Sequence, residues 1–274
     1  MSQGKYILVD GTFVLTAEYR LTIAEAQELH FSEKFRSIRS AIPFFSETLE
    51  LLRLKLLYYN QIFPEFTADN GAGLKRQLER TLIKNKHFMG ALLTLTFRFS
   101  GQKVHYTIQS EKTEPVGYEL NEKGIYIEII NPIQKSVSSL SSLALGSEIY
   151  WKIAACHIKE STADELLIVN TSNCIVEAPE SNIYLIKGKH VKGASSDDGA
   201  YTDITKPRML EIFNRLNLNY FEDKITETDL QEAEELLIVN SIKGIRWVIG
   251  FEDKRYFNQT IRKINEQFNL LMIN

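Results

Sequence analysis

Five histidines, two cysteines and a scatter of acids and amides hold whatever side-chain chemistry this sequence carries. His30, His87, His105, His157 and His190 stand singly, and a lone histidine is far more often a satisfied structural residue than a ligand. Cys156 and Cys174 lack C-x-x-C spacing, which reads as free, buried thiols in a reducing compartment and no metal centre. Cys156 and His157 are neighbours on one helix and point about 100° apart, so they form no thiolate pair. There is no Walker loop, dinucleotide glycine triplet, His-Glu-x-x-His or Gly-x-Ser-x-Gly. The informative stretch is Val176 to Ile186, VEAPESNIYLI. A Glu at a strand end is followed four residues on by Ser181-Asn182 and a β-branched, aromatic strand. On residue type alone Glu177 is a solvated strand-end acid and Thr205 a plain helix cap.

The elements that must position these residues follow from periodicity. Tyr6 to Val9 and Thr12 to Leu15 flank Asp10-Gly11, a two-residue hairpin signal. Leu49, Leu52, Leu56 and Tyr59 share one helical face, and Leu74 to Leu82 makes a second helix. Alternation then marks strands at Leu93 to Phe99, Val104 to Ile108 and Ile125 to Ile129. Pro132 and the Ser-rich run to Ser142 break both periods and suggest a linker. The domains are therefore expected at 1–118 and 136–274, with 119–135 between them. Helices follow at Glu148 to Glu160, Pro207 to Leu216 and Asn258 to Phe268. Strands fall at Leu166 to Val169, Cys174 to Val176, Asn182 to Ile186, His190 to Lys192, Leu236 to Val239 and Ile245 to Ile249. Ala163 to Asn170 (ADELLIVN) recurs as Ala233 to Asn240 (AEELLIVN), so the shared ELLIVN suggests two strand tips delivering polar groups to a common edge.

Composition bounds the class. The 274 residues are 44% hydrophobic and 24% charged with net charge −3, which fits one or two globular domains. That balance gives no reason to expect nucleic acid or an anionic membrane. No run approaches the roughly 20 apolar residues of a membrane span, and the N-terminus does not read as a signal peptide. A cytoplasmic protein is expected.

Glu177, then Ser181-Asn182-Ile183-Tyr184, resembles the class IV (fold type IV) pyridoxal-phosphate enzymes. These include branched-chain and D-amino-acid aminotransferases and aminodeoxychorismate lyase. Ala163-Asp164-Glu165, Asp203-Ile204-Thr205-Lys206, Asn240-Ser241 and Gly244-Ile245 are similar to further family motifs in the same order. The opening Ile7-Leu8-Val9-Asp10-Gly11 is a weaker echo. The resemblance implies an α+β, two-domain fold like that of D-amino-acid aminotransferase, a homodimer, and an amino-acid or keto-acid substrate. It implies pyridoxal phosphate as cofactor, with Glu177 facing the ring nitrogen. Ile204, Thr205, Asn240 and Ser241 would cradle the phosphate with backbone N–H groups.

Several family residues are absent. Ungapped alignment from Ala154 and Ala163-Asp164-Glu165 puts Ala144 where the family has its Schiff-base lysine, so no catalytic residue is found. Lys135 lies nine residues too early and Lys152 eight too late. The phosphate-binding Arg falls on Leu51, with Arg53 two residues off. A family Glu falls on Arg36. A family Gly falls on Asp203, whose charge opposes a phosphate. The sequence therefore points to a class IV aminotransferase-like protein degenerate at its lysine position. Two other readings are an active enzyme using a relocated lysine such as Lys135 or Lys206, and a dimeric binding protein unrelated to the cofactor.

Overall fold

The computed structural model describes residues 3–101, 103–114 and 116–273, and the chain divides into units Met1–Gly117 and Tyr118–Asn274. In the first unit Asp10 and Gly11 have φ values of 44° and 83°. Those left-handed angles close a two-residue hairpin between β1 (Tyr6–Val9) and β2 (Thr12–Leu15). The one-turn α1 (Ile23–Gln27) starts in a capping box, in which Thr22 and Glu25 satisfy each other's backbone N–H groups. There follow β3 (Leu29–Ile38), α2 (Phe45–Tyr58), α3 (Pro64–Thr67), α4 (Ala72–Asn85), β4 (Gly90–Ser100) and β5 (Lys103–Lys112). The strands form an antiparallel sheet in the order β2-β1-β5-β4-β3. Leu49, Leu52 and Leu56 of α2 and Leu74, Leu78 and Leu82 of α4 share one core with Leu93, Leu95 and Phe97 of β4.

Three cationic side chains of this unit find partners within it. Lys55 and Glu33 meet at 2.6 Å with little exposure of either side chain. Arg36, buried on β3, donates to the carbonyls of Val116 and Gly117. Arg53 donates from Nε to the Thr67 carbonyl at 3.2 Å, at the end of α3. Leu51 is half-buried on α2.

The second unit begins its regular structure with β6 (Ile125–Lys135), α5 (Ala144–His157), β7 (Glu165–Asn170), β8 (Ile175–Glu177), β9 (Asn182–Lys187) and β10 (His190–Ala194). It continues with α6 (Lys206–Arg215), β11 (Asn219–Asp223), α7 (Glu227–Glu232), β12 (Glu235–Asn240), β13 (Gly244–Phe251), β14 (Lys254–Arg255) and α8 (Gln259–Ile273). Eight strands run in the order β11-β10-β9-β12-β13-β6-β7-β8, with β14 paired to β13.

Two expectations change here. The 119–135 linker contains β6, which lies inside the sheet with β13 and β7 both parallel to it. The β6–β7 register shifts between Ile129 and Gln134. The Ser-rich run is a folded turn: Ser141 Oγ accepts the Ser138 N–H at 2.8 Å and donates to the Ser136 carbonyl at 2.9 Å. The two ELLIVN copies are β7 and β12, and both asparagines shape the turn behind them. Asn170 Oδ1 accepts the N–H groups of Ser172 and Cys174, and Asn240 Oδ1 those of Ile242 and Lys243. The strand directions make β7 and β12 opposed, so their tips leave at opposite ends of the sheet and not at a common edge.

Candidate functional site

Glu177 ends β8 and is completely buried. Its Oε1 accepts the indole N–H of Trp151 at 2.7 Å. Its Oε2 accepts Lys135 Nζ at 2.6 Å and the Tyr201 backbone N–H at 2.8 Å. Lys135, the last residue of β6, also donates to Ser147 Oγ at 2.6 Å and to the Ser141 carbonyl at 2.8 Å. An ammonium has three N–H donors, and these three acceptors use all of them. The Lys135 and Glu177 side chains are 1% and 0% exposed.

The surrounding elements explain this closure. Ser147 and Trp151 lie four residues apart on α5, so one helical face brings both to the pair. A Cβ at Gly146 would lie 2.2 Å from the Leu140 carbonyl oxygen. Only glycine lets α5 pack against the turn whose Ser141 carbonyl holds Lys135. The Trp151 and Tyr201 rings meet edge to face at 4.8 Å beside the carboxylate. Burial pulls the Lys135 amine below the ordinary lysine range and pushes the Glu177 carboxyl above the carboxylate range; their mutual attraction opposes both shifts.

Tyr201 links this pair to a second buried acid. Asp203 stands just before α6, with Oδ1 accepting the Thr205 N–H at 2.9 Å. The Ser241 backbone also favours its charge, and the Tyr201 hydroxyl lies 3.4 Å from Oδ2. Burial pushes its carboxyl up to about 6, against the pull of these hydrogen bonds. Asn182 ties the turn to β9: Oδ1 accepts the Asp203 N–H at 3.0 Å, and Nδ2 donates to the Tyr201 carbonyl. Asn240 Nδ2 donates to Ser181 Oγ at 2.9 Å.

The residues singled out by sequence thus fall into two groups. Glu177 belongs to the lysine cluster. Thr205, Ser241 and the turn containing half-buried Ile204 surround Asp203, while the Asn240 side chain is spent on its own turn and on Ser181. Ala144 opens α5 and packs with the apolar group of Ile130, Trp151 and Ala154. Lys135, not position 144, is the lysine beside Glu177; the turn between β6 and α5 accounts for the separation in sequence. The signal for Lys135 was its place at the end of an apolar strand run. Trp151 carried none beyond its helical spacing from Ser147. Among the described residues no group of three or more His, Cys, Asp or Glu side chains could hold a metal ion, and no helix is long and apolar enough to cross a membrane.

Comparison with known proteins places this arrangement. The amino-transferase class IV family model matches residues 70–249, and the chain belongs to that family. A putative branched-chain-amino-acid aminotransferase of Methanocaldococcus jannaschii is 21% identical over 146 residues, covering 52% of this chain and 48% of that protein. The match therefore spans about half the length of that curated relative. An aminotransferase from Brucella abortus, solved bound to the cofactor pyridoxal phosphate, superposes with TM-score 0.81 at 11% identity, over 98% of this chain and 99% of that one. A putative 4-amino-4-deoxychorismate lyase from Legionella pneumophila gives TM-score 0.75 at 18% identity, over 93% and 96%. The fold is the α+β fold of class IV aminotransferases.

Pyridoxal phosphate asks three things of such a site: an amine free to condense with its aldehyde, a carboxylate free for its ring nitrogen, and an open cradle for its phosphate. Here the amine has spent its three donors, the carboxylate accepts three hydrogen bonds, and a side-chain carboxylate stands among the N–H groups before α6. As arranged, these residues do not fit the cofactor.

Proposed function

We propose that this chain is a class IV family member that does not run the pyridoxal-phosphate cycle and acts as a non-catalytic binding or interaction protein. The observation that supports this reading is the saturated, inaccessible ammonium of Lys135, held by Glu177, Ser147 and Ser141. Admitting a ring between Lys135 and Glu177 means breaking a buried ion pair, at about 3–5 kcal/mol if one partner is left uncompensated. The reading includes a homodimer, as the family resemblance implies, and a cytoplasmic location, in keeping with two free thiols, of which Cys174 is buried as expected and Cys156 is exposed.

One observation favours a second reading, an aminotransferase or lyase acting on an amino acid through Lys135. The amine and the acid stand together in the core of one unit. Exchange of the amino-acid α-proton in deuterium oxide separates the two. With pyridoxal phosphate added, a panel including branched-chain amino acids and glutamate is expected to exchange no faster than with the free cofactor. Protein-dependent exchange that Lys135→Ala abolishes would establish the second reading instead.

A further inference from the structure

Asp203 is a buried carboxylate placed between the N-terminus of the ten-residue α6 and the strand-end turn after β12. The Thr205 N–H reaches Oδ1 at 2.9 Å, and the Ser241 backbone, in the turn after β12, also favours the carboxylate's charge. The Thr205 hydroxyl is completely buried beside this carboxylate, near enough to favour its charge, yet makes no hydrogen bond of good geometry. Convergent N–H groups at a helix start form an anion site. A fully buried acid is otherwise costly, because its charge has left water. Both facts have one explanation: the anion this cradle is shaped for is already part of the chain.

We infer that Asp203 is a built-in anion that seals the cradle ahead of α6, so that the site rejects ligands carrying a phosphate or similar oxyanion. Its ligands are then neutral or cationic, or carry their negative charge elsewhere. The carboxylate also completes the closed network, since Tyr201 touches both it and Glu177. The inference rests on the reading of the site as internally paired. It carries that reading from the amine, which is used up, to the opposite requirement, the phosphate.

The test is titration with inorganic phosphate, followed by thermal shift against sodium chloride at matched ionic strength. Wild-type protein is expected to show no saturable stabilisation. Asp203→Gly removes the internal anion and leaves the N–H groups and the Thr205 hydroxyl bare; it should bind phosphate at least about tenfold more tightly than wild type. Asp203→Ala is the second variant, and it retains a Cβ should the glycine loosen the turn. Saturable phosphate binding by wild type would overturn the inference whether or not either variant folds. So would a folded variant that gains none.

A further arm separates this inference from the proposed function. Wild type is treated with pyridoxal and with pyridoxal phosphate, and any adduct is fixed by borohydride. Modification of Lys135 by both aldehydes alike would contradict the non-catalytic reading and uphold the role of Asp203. A clear preference for the phosphorylated aldehyde would contradict the role of Asp203.

Discussion

Lys135 and Glu177 are worth most to each other, and that makes their worth measurable in stability before any ligand is considered. Lys135→Met leaves the Glu177 carboxylate buried with its cation gone, and urea unfolding should show a loss of about 3–5 kcal/mol. Adding Glu177→Gln should recover a substantial part of that loss, since the double variant buries no charge. A Lys135→Met effect within about 0.5 kcal/mol, as at an ordinary surface position, would mean that the ammonium is not held as described. Asp203 makes a prediction of opposite character. Its carboxyl is raised from 3.8 to about 6, so the folded state binds this proton more tightly than the unfolded chain. Its contribution is fully present below about pH 4 and is lost as the pH rises through 6. Relative to Asp203→Asn, wild type should lose about 3 kcal/mol across that window. The comparison cancels the other titrating groups, and the neighbours facing Asp203 (Tyr201, Thr205, Ser241 and more distant Tyr184) remain in both proteins. A flat difference between pH 4 and 7 would show that Asp203 titrates as an exposed acid.

The elements around the pair show why the site was only partly legible in the sequence. The strand ending in Glu177, the strand Asn182–Lys187 and the helix after Thr205 all carried local signals: a polar strand end, β-branched alternation, and Pro207 near a helix start. Lys135 was hidden because Pro132 and the serines after it have the composition of a linker. The serines instead satisfy one another and supply the Ser141 carbonyl that helps to hold the lysine, while α5 supplies the Ser147 hydroxyl. Spacing counted from the far end of α5 could not register such a turn. Strand β3 was missed for a related reason. Its buried positions include Arg36 and Ser37, which break the apolar alternation that marks a strand. Helix α7 was missed because it is six residues long, although Thr226 and Asp229 form a capping box. The contact between α5 and the serine turn has its own test. Gly146→Ala puts a methyl group against the Leu140 carbonyl and should lower stability by about 1–3 kcal/mol. A near-neutral Gly146→Ala, read by the same urea unfolding, would mean that the turn yields easily and that Lys135 is less tightly held than its contacts indicate.

At the scale of the whole chain, membership of the class IV family and the closed Lys135–Glu177 pair are separate findings. The family model and the α+β fold speak to descent; the activity has to be argued from the site. Among the described residues the second unit has nine strands and two turn-shaping asparagines, with Lys135 and Glu177 paired in its interior. Lys135, Glu177, Trp151, Tyr201 and Asp203 form one continuous buried network. A network whose members are all paired favours a single arrangement, because any half-open state leaves a buried charge uncompensated. The most direct test incubates purified protein with excess pyridoxal phosphate near neutral pH, reduces it with borohydride, desalts it and maps peptides by mass. The account predicts no phosphopyridoxyl adduct on Lys135, with any modification confined to exposed surface lysines. Stoichiometric modification of Lys135 would contradict it and make this chain a working lysine-dependent member of its family.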